Sequence, residues 1–299
     1  MGDNMKRILT PLLALASSLT ICTSAGSAAD FPVIKGPLMG QTPPGKVAEV
    51  FAPGLVSKDG WELEGVFAPG MEEFYFVTGE GYEKPHVVGF KYQDGQWKKF
   101  SEFVRTGEPF ITSDGQTMHL AKGYRTRTAD GWSEKKNLGP MFNRKDWGIM
   151  RLTASDAGTY VFDDYKSGDV IRISRVKDGV RQEPELMSEQ FNSGKLTAHP
   201  FIAPDESYLI WDSEREGGYG ESDLYISFRQ QDGSWGPAIN MGPDVNSEKD
   251  DFWASVTPDG KYIMFDRTMG GEWPNLNVDI YWADAGIIDK LRRKAEQGE

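Results

Sequence analysis

Phe201-Ile202-Ala203-Pro204-Asp205, followed after Glu206 and Ser207 by Tyr208-Leu209-Ile210-Trp211-Asp212, reads as strand, turn, strand. Pro and Asp supply the turn, and the apolar runs on either side are short enough for strands but not for helices. The same pattern returns four times, at Val66-Phe67-Ala68-Pro69-Gly70, Phe110-Ile111-Thr112-Ser113-Asp114-Gly115, Leu152-Thr153-Ala154-Ser155-Asp156 and Ser255-Val256-Thr257-Pro258-Asp259-Gly260. With Pro69, Ser113, Ser155, Pro204 and Pro258 as anchors, the intervals are 44, 42, 49 and 54 residues. A period of that length is the mark of a propeller blade.

The register outlasts the turn. Five residues after the anchors stand Phe74, Met118, Tyr160, Leu209 and Ile263, and seven after them stand Phe76, Leu120, Phe162, Trp211 and Phe265. The residues between, Tyr75, His119, Val161, Ile210 and Met264, are mostly apolar as well, so this strand is expected to be buried on both faces. Asp94-Gly95, Asp130-Gly131, Asp178-Gly179 and Asp232-Gly233 follow as hairpin dipeptides joining a third strand to a fourth. The fifth unit lacks a fourth strand, because after Val278 to Trp282 the chain turns into a short helix from Gly286 to Lys294. Val47 to Ala52 is a strand candidate without a blade of its own. The expected fold is all-β: a five-bladed β-propeller of four-stranded antiparallel blades, closed by that N-terminal strand. Six blades or an unclosed arc are the alternatives.

Ala203-Pro204-Asp205-Glu206-Ser207-Tyr208-Leu209-Ile210-Trp211, Ser222-Asp223-Leu224-Tyr225-Ile226-Ser227 and Thr257-Pro258-Asp259-Gly260-Lys261-Tyr262-Ile263-Met264-Phe265 resemble the Pro-Asp variety of WD-like propeller repeat. That repeat is known from the propeller of the periplasmic protein TolB and from many exported bacterial proteins. The resemblance runs from about residue 65 to 291, and Pro69-Gly70 and Ser155-Asp156-Ala157 depart from its Pro-Asp-Gly core. It implies a fold and leaves the activity open, since one fold hosts many functions.

Composition sets the compartment and excludes several partners. The 299 residues carry 33 Lys and Arg against 45 Asp and Glu, a net charge of −12, with no basic stripe, which argues against nucleic acid. Lys6-Arg7, the apolar run Ile8 to Ile21 and Ser27-Ala28-Ala29 form a signal peptide over 1–29, with Asp30 as the expected mature start. The single cysteine, Cys22, lies inside it, and lipidation there is disfavoured by the bulk of Ile21. An N-terminal extension over 30–45, a propeller over 46–291 and a tail over 292–299 complete the division. A periplasmic or secreted monomer without a membrane span in its mature chain is expected.

No nucleophile elbow, zinc-protease motif, phosphate loop or dinucleotide fingerprint occurs in the sequence. Five residues before the anchors, where the innermost strand of a blade enters the axial channel, stand Glu64, Glu108, Met150, His199 and Trp253, with Arg151 next to Met150. Glu64, Glu108, Arg151, His199 and Trp253 are therefore the candidate ligand site, a polar funnel with an aromatic platform for a glycan or a protein partner. The first functional reading is a non-catalytic binding module with no cofactor. The alternative is a glycan-acting hydrolase or lyase using Glu64, Glu108 and His199, with the two glutamates as acid and base. Asp163, Asp212 and Asp266 share the position eight after the anchor and are read as acceptors of turn N–H groups. Asp244, Glu248, Asp250 and Asp251 form a weak Ca²⁺ candidate without dedicated loop spacing. His119 is expected in the interior and His86 at a strand edge.

Overall fold

A computed structural model describes residues 34–58, 60–79 and 84–298; the expected signal peptide and its cleavage point lie outside the described residues. The chain is mostly β. It begins with β1 (Ile34–Lys35) and β2 (Glu49–Val50) and continues through a first meander, β3 (Trp61–Phe67), β4 (Glu73–Gly79), β5 (His86–Gln93) and β6 (Gln96–Val104). A second follows as β7 (Pro109–Ile111), β8 (Thr117–Leu120), β9 (Gly123–Thr128), β10 (Gly131–Trp132) and β11 (Lys136–Asn137). The third comprises β12 (Leu152–Ala154), β13 (Tyr160–Asp164), β14 (Val170–Ser174), the small hairpin β15 (Val176–Lys177) and β16 (Val180–Arg181), and β17 (Glu185–Leu186). After α1 (Glu189–Asn192) come β18 (Lys195–Ile202), β19 (Tyr208–Glu214), β20 (Asp223–Phe228) and β21 (Ile239–Asn240). The chain ends with β22 (Asp251–Val256), β23 (Tyr262–Gly270), β24 (Asn277–Asp284) and α2 (Gly286–Gln297).

Within each meander successive strands pair antiparallel. The outer position beside β24 is taken from the other end of the chain, where β2 sets Glu49 opposite Trp282 and Val50 opposite Tyr281. One parallel bridge, Val278 with Trp61, also joins β24 to β3. Burial agrees with the two-faced second strand: on one face Phe74, Phe76, Met118, Leu120, Phe162, Leu209, Trp211, Ile263 and Phe265 are buried and Tyr160 is partly exposed, and on the other Tyr75, His119, Val161, Ile210 and Met264 are buried.

The turns obey their residues. Asp114, Asp205 and Asp259 each accept the backbone N–H two residues on, at 2.9, 3.0 and 3.2 Å, which closes the turn after the first strand of three meanders. Asp94-Gly95 has both residues at positive φ, 53° and 77°, as a type I′ hairpin requires. Two expectations need correction. Asp178-Gly179 turns the small β15–β16 hairpin instead of leading to the fourth strand, which is β17, paired to β14 through Leu186 and Glu185. The second meander has two short outer segments, β10 and β11, both on β9, because the chain bends away after Trp132. The N-terminal extension is tied to the first meander: Ile34 pairs with Trp97, Met39 is buried, and the Trp97 indole donates to Gly36 O at 2.9 Å.

Candidate functional site

The residues five before the anchors meet where the innermost strands break register. Bulges interrupt β3 between Leu63 and Val66, β18 between Ala198 and Phe201, and β22 between Phe252 and Ser255. Inside them Glu64, His199 and Trp253 adopt left-handed backbone, with φ of 60°, 46° and 56°. None is glycine, and each such residue costs on the order of 1 kcal/mol or more.

The repeated aspartates hold this backbone in place. Asp266 accepts Glu64 N–H at 2.9 Å, Asp212 accepts Trp253 N–H at 3.0 Å, and Asp163 accepts Met150 N–H at 2.7 Å. Their repeated position does carry a repeated structural task, but the N–H groups belong to the innermost strands and not to turns. The first two reach from one meander to the next. A bulge turns its residue out of the ladder, and the neighbouring aspartate takes up the freed N–H.

Side chains on this shelf form one chain of charge. Arg105 clasps Glu64 through two N–H groups, one at 3.0 Å, and reaches Glu108 at 3.3 Å. Glu108 also faces His199 Nε2 at 3.4 Å, and His199 Nδ1 meets Asp212 at 3.0 Å. Arg151 is fully buried, donates to His199 O at 3.4 Å and lies over the Trp253 ring at 3.9 Å. The sequence reading places Glu64, Glu108, Arg151, His199 and Trp253 together, and the structure assembles all five around the shelf. The sequence reading does not reveal Arg105, which lies three residues ahead of Glu108 in an irregular stretch between meanders.

Above the shelf opens a cavity of about 720 Å³. Glu64, Glu108, His199 and Asp212 contribute to its floor, and Trp61, Phe252, Trp273, Leu196 and Leu276 give it apolar walls. Trp253 lines it too, yet is only 1% exposed and belongs to the core with Leu63 and Val278. Accessible aromatic faces on the cavity are instead those of Phe252, partly exposed with its ring 5.8 Å from that of His199, and of the exposed Trp273 and Tyr165.

Burial and charge shift the shelf's proton affinities. Burial pushes the Glu64 carboxyl up to about 7 against the pull of Arg105, and burial with Glu108 nearby raises Asp163 to about 7. Burial opposes charge on His199, but Asp212 and Glu108 outweigh it and hold the imidazole well above its ordinary range. Glu108 moves the other way, downward, because His199, Arg105 and Arg151 together overcome its burial. Folding thus raises the proton affinity of Glu64 and Asp163. The stability they contribute is present below about pH 4 and is lost as pH rises towards about 7. The stability that His199 adds is full below about pH 6.5 and is lost as pH rises from there through its raised folded value, while the share of Glu108 is lost only in acid. The melting temperature should accordingly fall between about pH 5 and pH 8, and the slope should be shallower in Glu64→Gln. An unchanged slope in that variant, followed by circular dichroism, would show that Glu64 titrates normally.

The other candidates lie elsewhere. Asp244 pairs with Lys290 at 3.2 Å, Asp251 pairs with Arg267 at 2.5 Å and accepts from Ser247, Glu248 is exposed, and Asp250 faces the cavity and accepts Ser222 N–H. These four acids are not gathered around one point. His119 is buried between Phe110 and Tyr160, and burial lowers it to about 4. Its Nδ1 has no hydrogen-bond partner, and its ring is held by aromatic packing. His86 opens β5, partly exposed, with Nδ1 2.9 Å from Lys84 O.

No protein-family model matches the chain, and no curated protein matches it. Solved structures similar to it include a chain assigned as TolB from Agrobacterium tumefaciens, 16% identical, covering 76% of this chain and 78% of that one with a TM-score of 0.46. TolB from Acinetobacter baumannii is 12% identical over 76% of this chain with a TM-score of 0.44, and the present chain spans only 57% of its length. An endo-arabinase from Bacteroides thetaiotaomicron is 16% identical, with 80% and 95% of the two chains covered and a TM-score of 0.44. Among the described residues no helix is long and apolar enough to cross a membrane.

Proposed function

We propose that the chain is an exported five-bladed propeller of the Pro-Asp repeat type, its ring closed by β2, which binds a ligand in the funnel without altering it chemically. The observation that carries this reading is the mutual neutralisation of the shelf. Glu64 and Glu108 share one guanidinium, and His199 is held between Glu108 and Asp212. A rigid polar floor beneath apolar and aromatic walls suits a ligand with hydroxyl groups on one side and a flat C–H face on the other, as a sugar has. A glycan, free or on a larger partner, is the ligand class this chemistry favours. Periplasmic or secreted location, cleavage before Asp30 and a monomeric state belong to the same proposal.

The rival, a glycan-acting hydrolase or lyase, keeps one observation in its favour. Glu64 faces the cavity with a pKa near 7, as a general acid requires. Against it stands Arg105, whose guanidinium occupies the space between the two carboxylates where a glycosidase holds the scissile bond. Chromatography of neutral and uronic-acid oligosaccharides after prolonged incubation should show them intact. A product formed by the native chain and lost in Glu64→Gln would establish the enzyme instead.

A further inference from the structure

Glu108, Asp163 and His199 come from separate meanders, and one ligand atom of each lies within 4.8 Å of the other two. Glu108 is 3% exposed, and its Oε2 has no hydrogen-bond partner. An unbonded carboxylate oxygen at such a depth costs more than the usual lost hydrogen bond, unless something absent from the protein's own groups meets it.

The histidine is already oriented for a metal. Asp212 lies 3.0 Å from His199 Nδ1, which fixes the proton there and leaves Nε2 directed at Glu108. A carboxylate behind an imidazole in this way sets the tautomer and increases the basicity of the ligating nitrogen. Asp163 is equally fixed, since its carboxylate accepts the N–H groups of Met150 and Arg151 at 2.7 and 3.2 Å. Glu108 and His199 both line the cavity, so a coordination position beside them opens on the funnel.

We propose that Glu108, Asp163 and His199 bind a divalent cation of the zinc type at the funnel floor, with an open position towards the cavity. One imidazole and two carboxylates match the mixed nitrogen and oxygen set of an open zinc site, whereas Ca²⁺ needs six to eight oxygens. The cation takes the place of the Nε2 proton, which leaves to solvent, and it gives the buried Glu108 Oε2 a partner. This site is distinct from the acids at 244–251 and goes beyond the binding reading, which stands unchanged if no metal is found.

The test uses untagged chain treated with EDTA, then titrated with Zn²⁺ by calorimetry and with Co²⁺ by visible absorbance. One Zn²⁺ per chain is expected, with weaker binding of Ca²⁺ and visible Co²⁺ bands from a low-coordinate site. Glu108→Gln and Asp163→Asn should each weaken Zn²⁺ at least tenfold, Asp212→Asn about tenfold through orientation of the imidazole, and His86→Ala not at all. Because the buried variants could unfold, the native chain supplies an independent reading. Of the three imidazoles, His199 alone should shift in histidine-labelled NMR spectra on adding Zn²⁺. Absence of stoichiometric binding, or a shift confined to His86, would overturn the proposal.

Discussion

A chain beginning at Gly60, which keeps all five repeat anchors, should melt on the order of 10 °C or more below the chain beginning at Asp30, or aggregate outright. The reason is the small strand it lacks. β2 pairs with β24, and Phe51, directly after it, donates its N–H to Ile280 O at 2.7 Å and is wholly buried. The Phe51 ring lies 5.9, 4.9 and 5.0 Å from those of Phe67, Phe74 and Trp282. Loss of one such ring costs about 3–5 kcal/mol, against a total stability on the order of 10 kcal/mol. The truncation also leaves the edge of β24 unpaired, an invitation to association between chains. Repeat spacing alone suggests that a chain starting at Lys46 would match the full one. The pairing of Ile34 with Trp97 of the first meander and the burial of Met39 place it between the two instead. Equal melting of the Gly60 and Asp30 chains would mean that β2 contributes nothing to stability.

Trp253→Ala should be nearly as damaging, at about 3–5 kcal/mol, although its sequence position marks it as a funnel residue. The indole is 1% exposed, packs in one core cluster with Leu63, Val77 and Val278, and carries the Arg151 guanidinium on its face at 3.9 Å. Removing it opens a large cavity and takes away the cation–π partner of a buried charge whose Nε and Nη2 have no hydrogen bonds. Trp253→Phe should recover part of the loss, as read by thermal denaturation. A mild effect of Trp253→Ala would show that the indole is peripheral. The variant is thus a stability probe, and binding at the funnel has to be tested at Phe252.

The repeats were legible because strand alternation and turn chemistry act locally: each Pro-Asp or Ser-Asp turn and each apolar residue beyond it reports on its own neighbourhood. The convergence of Glu64, Glu108, Arg151, His199 and Trp253 was legible for the same reason, since equal register puts equal positions at equal depth. What register cannot supply is the direction of a side chain. Glu64, His199 and Trp253 sit in left-handed backbone within bulges, and nothing in their residue types demands it. The aspartates at 163, 212 and 266 were visible as a repeat, but their true partners are Met150, Trp253 and Glu64, up to 202 residues away in sequence. Arg105 carried no signal at all, because it belongs to an irregular segment outside the repeat. Asp178-Gly179 misled because a type I′ dipeptide specifies a hairpin without saying which strands it joins.

Calorimetric titration of the mature chain and of Phe252→Ala with a panel of oligosaccharides is the most direct test of the funnel as the binding site. Phe252 lines the cavity without belonging to its charge network, is partly exposed and only flanks the core cluster of Leu63 and Val278, so its loss should leave the fold intact at a smaller cost than that of Trp253. At least one oligosaccharide should bind the native chain and bind Phe252→Ala at least tenfold more weakly, about 1.4 kcal/mol, with the melting temperature little changed. Binding that is undiminished in the variant, or no binding across the panel, would contradict the account.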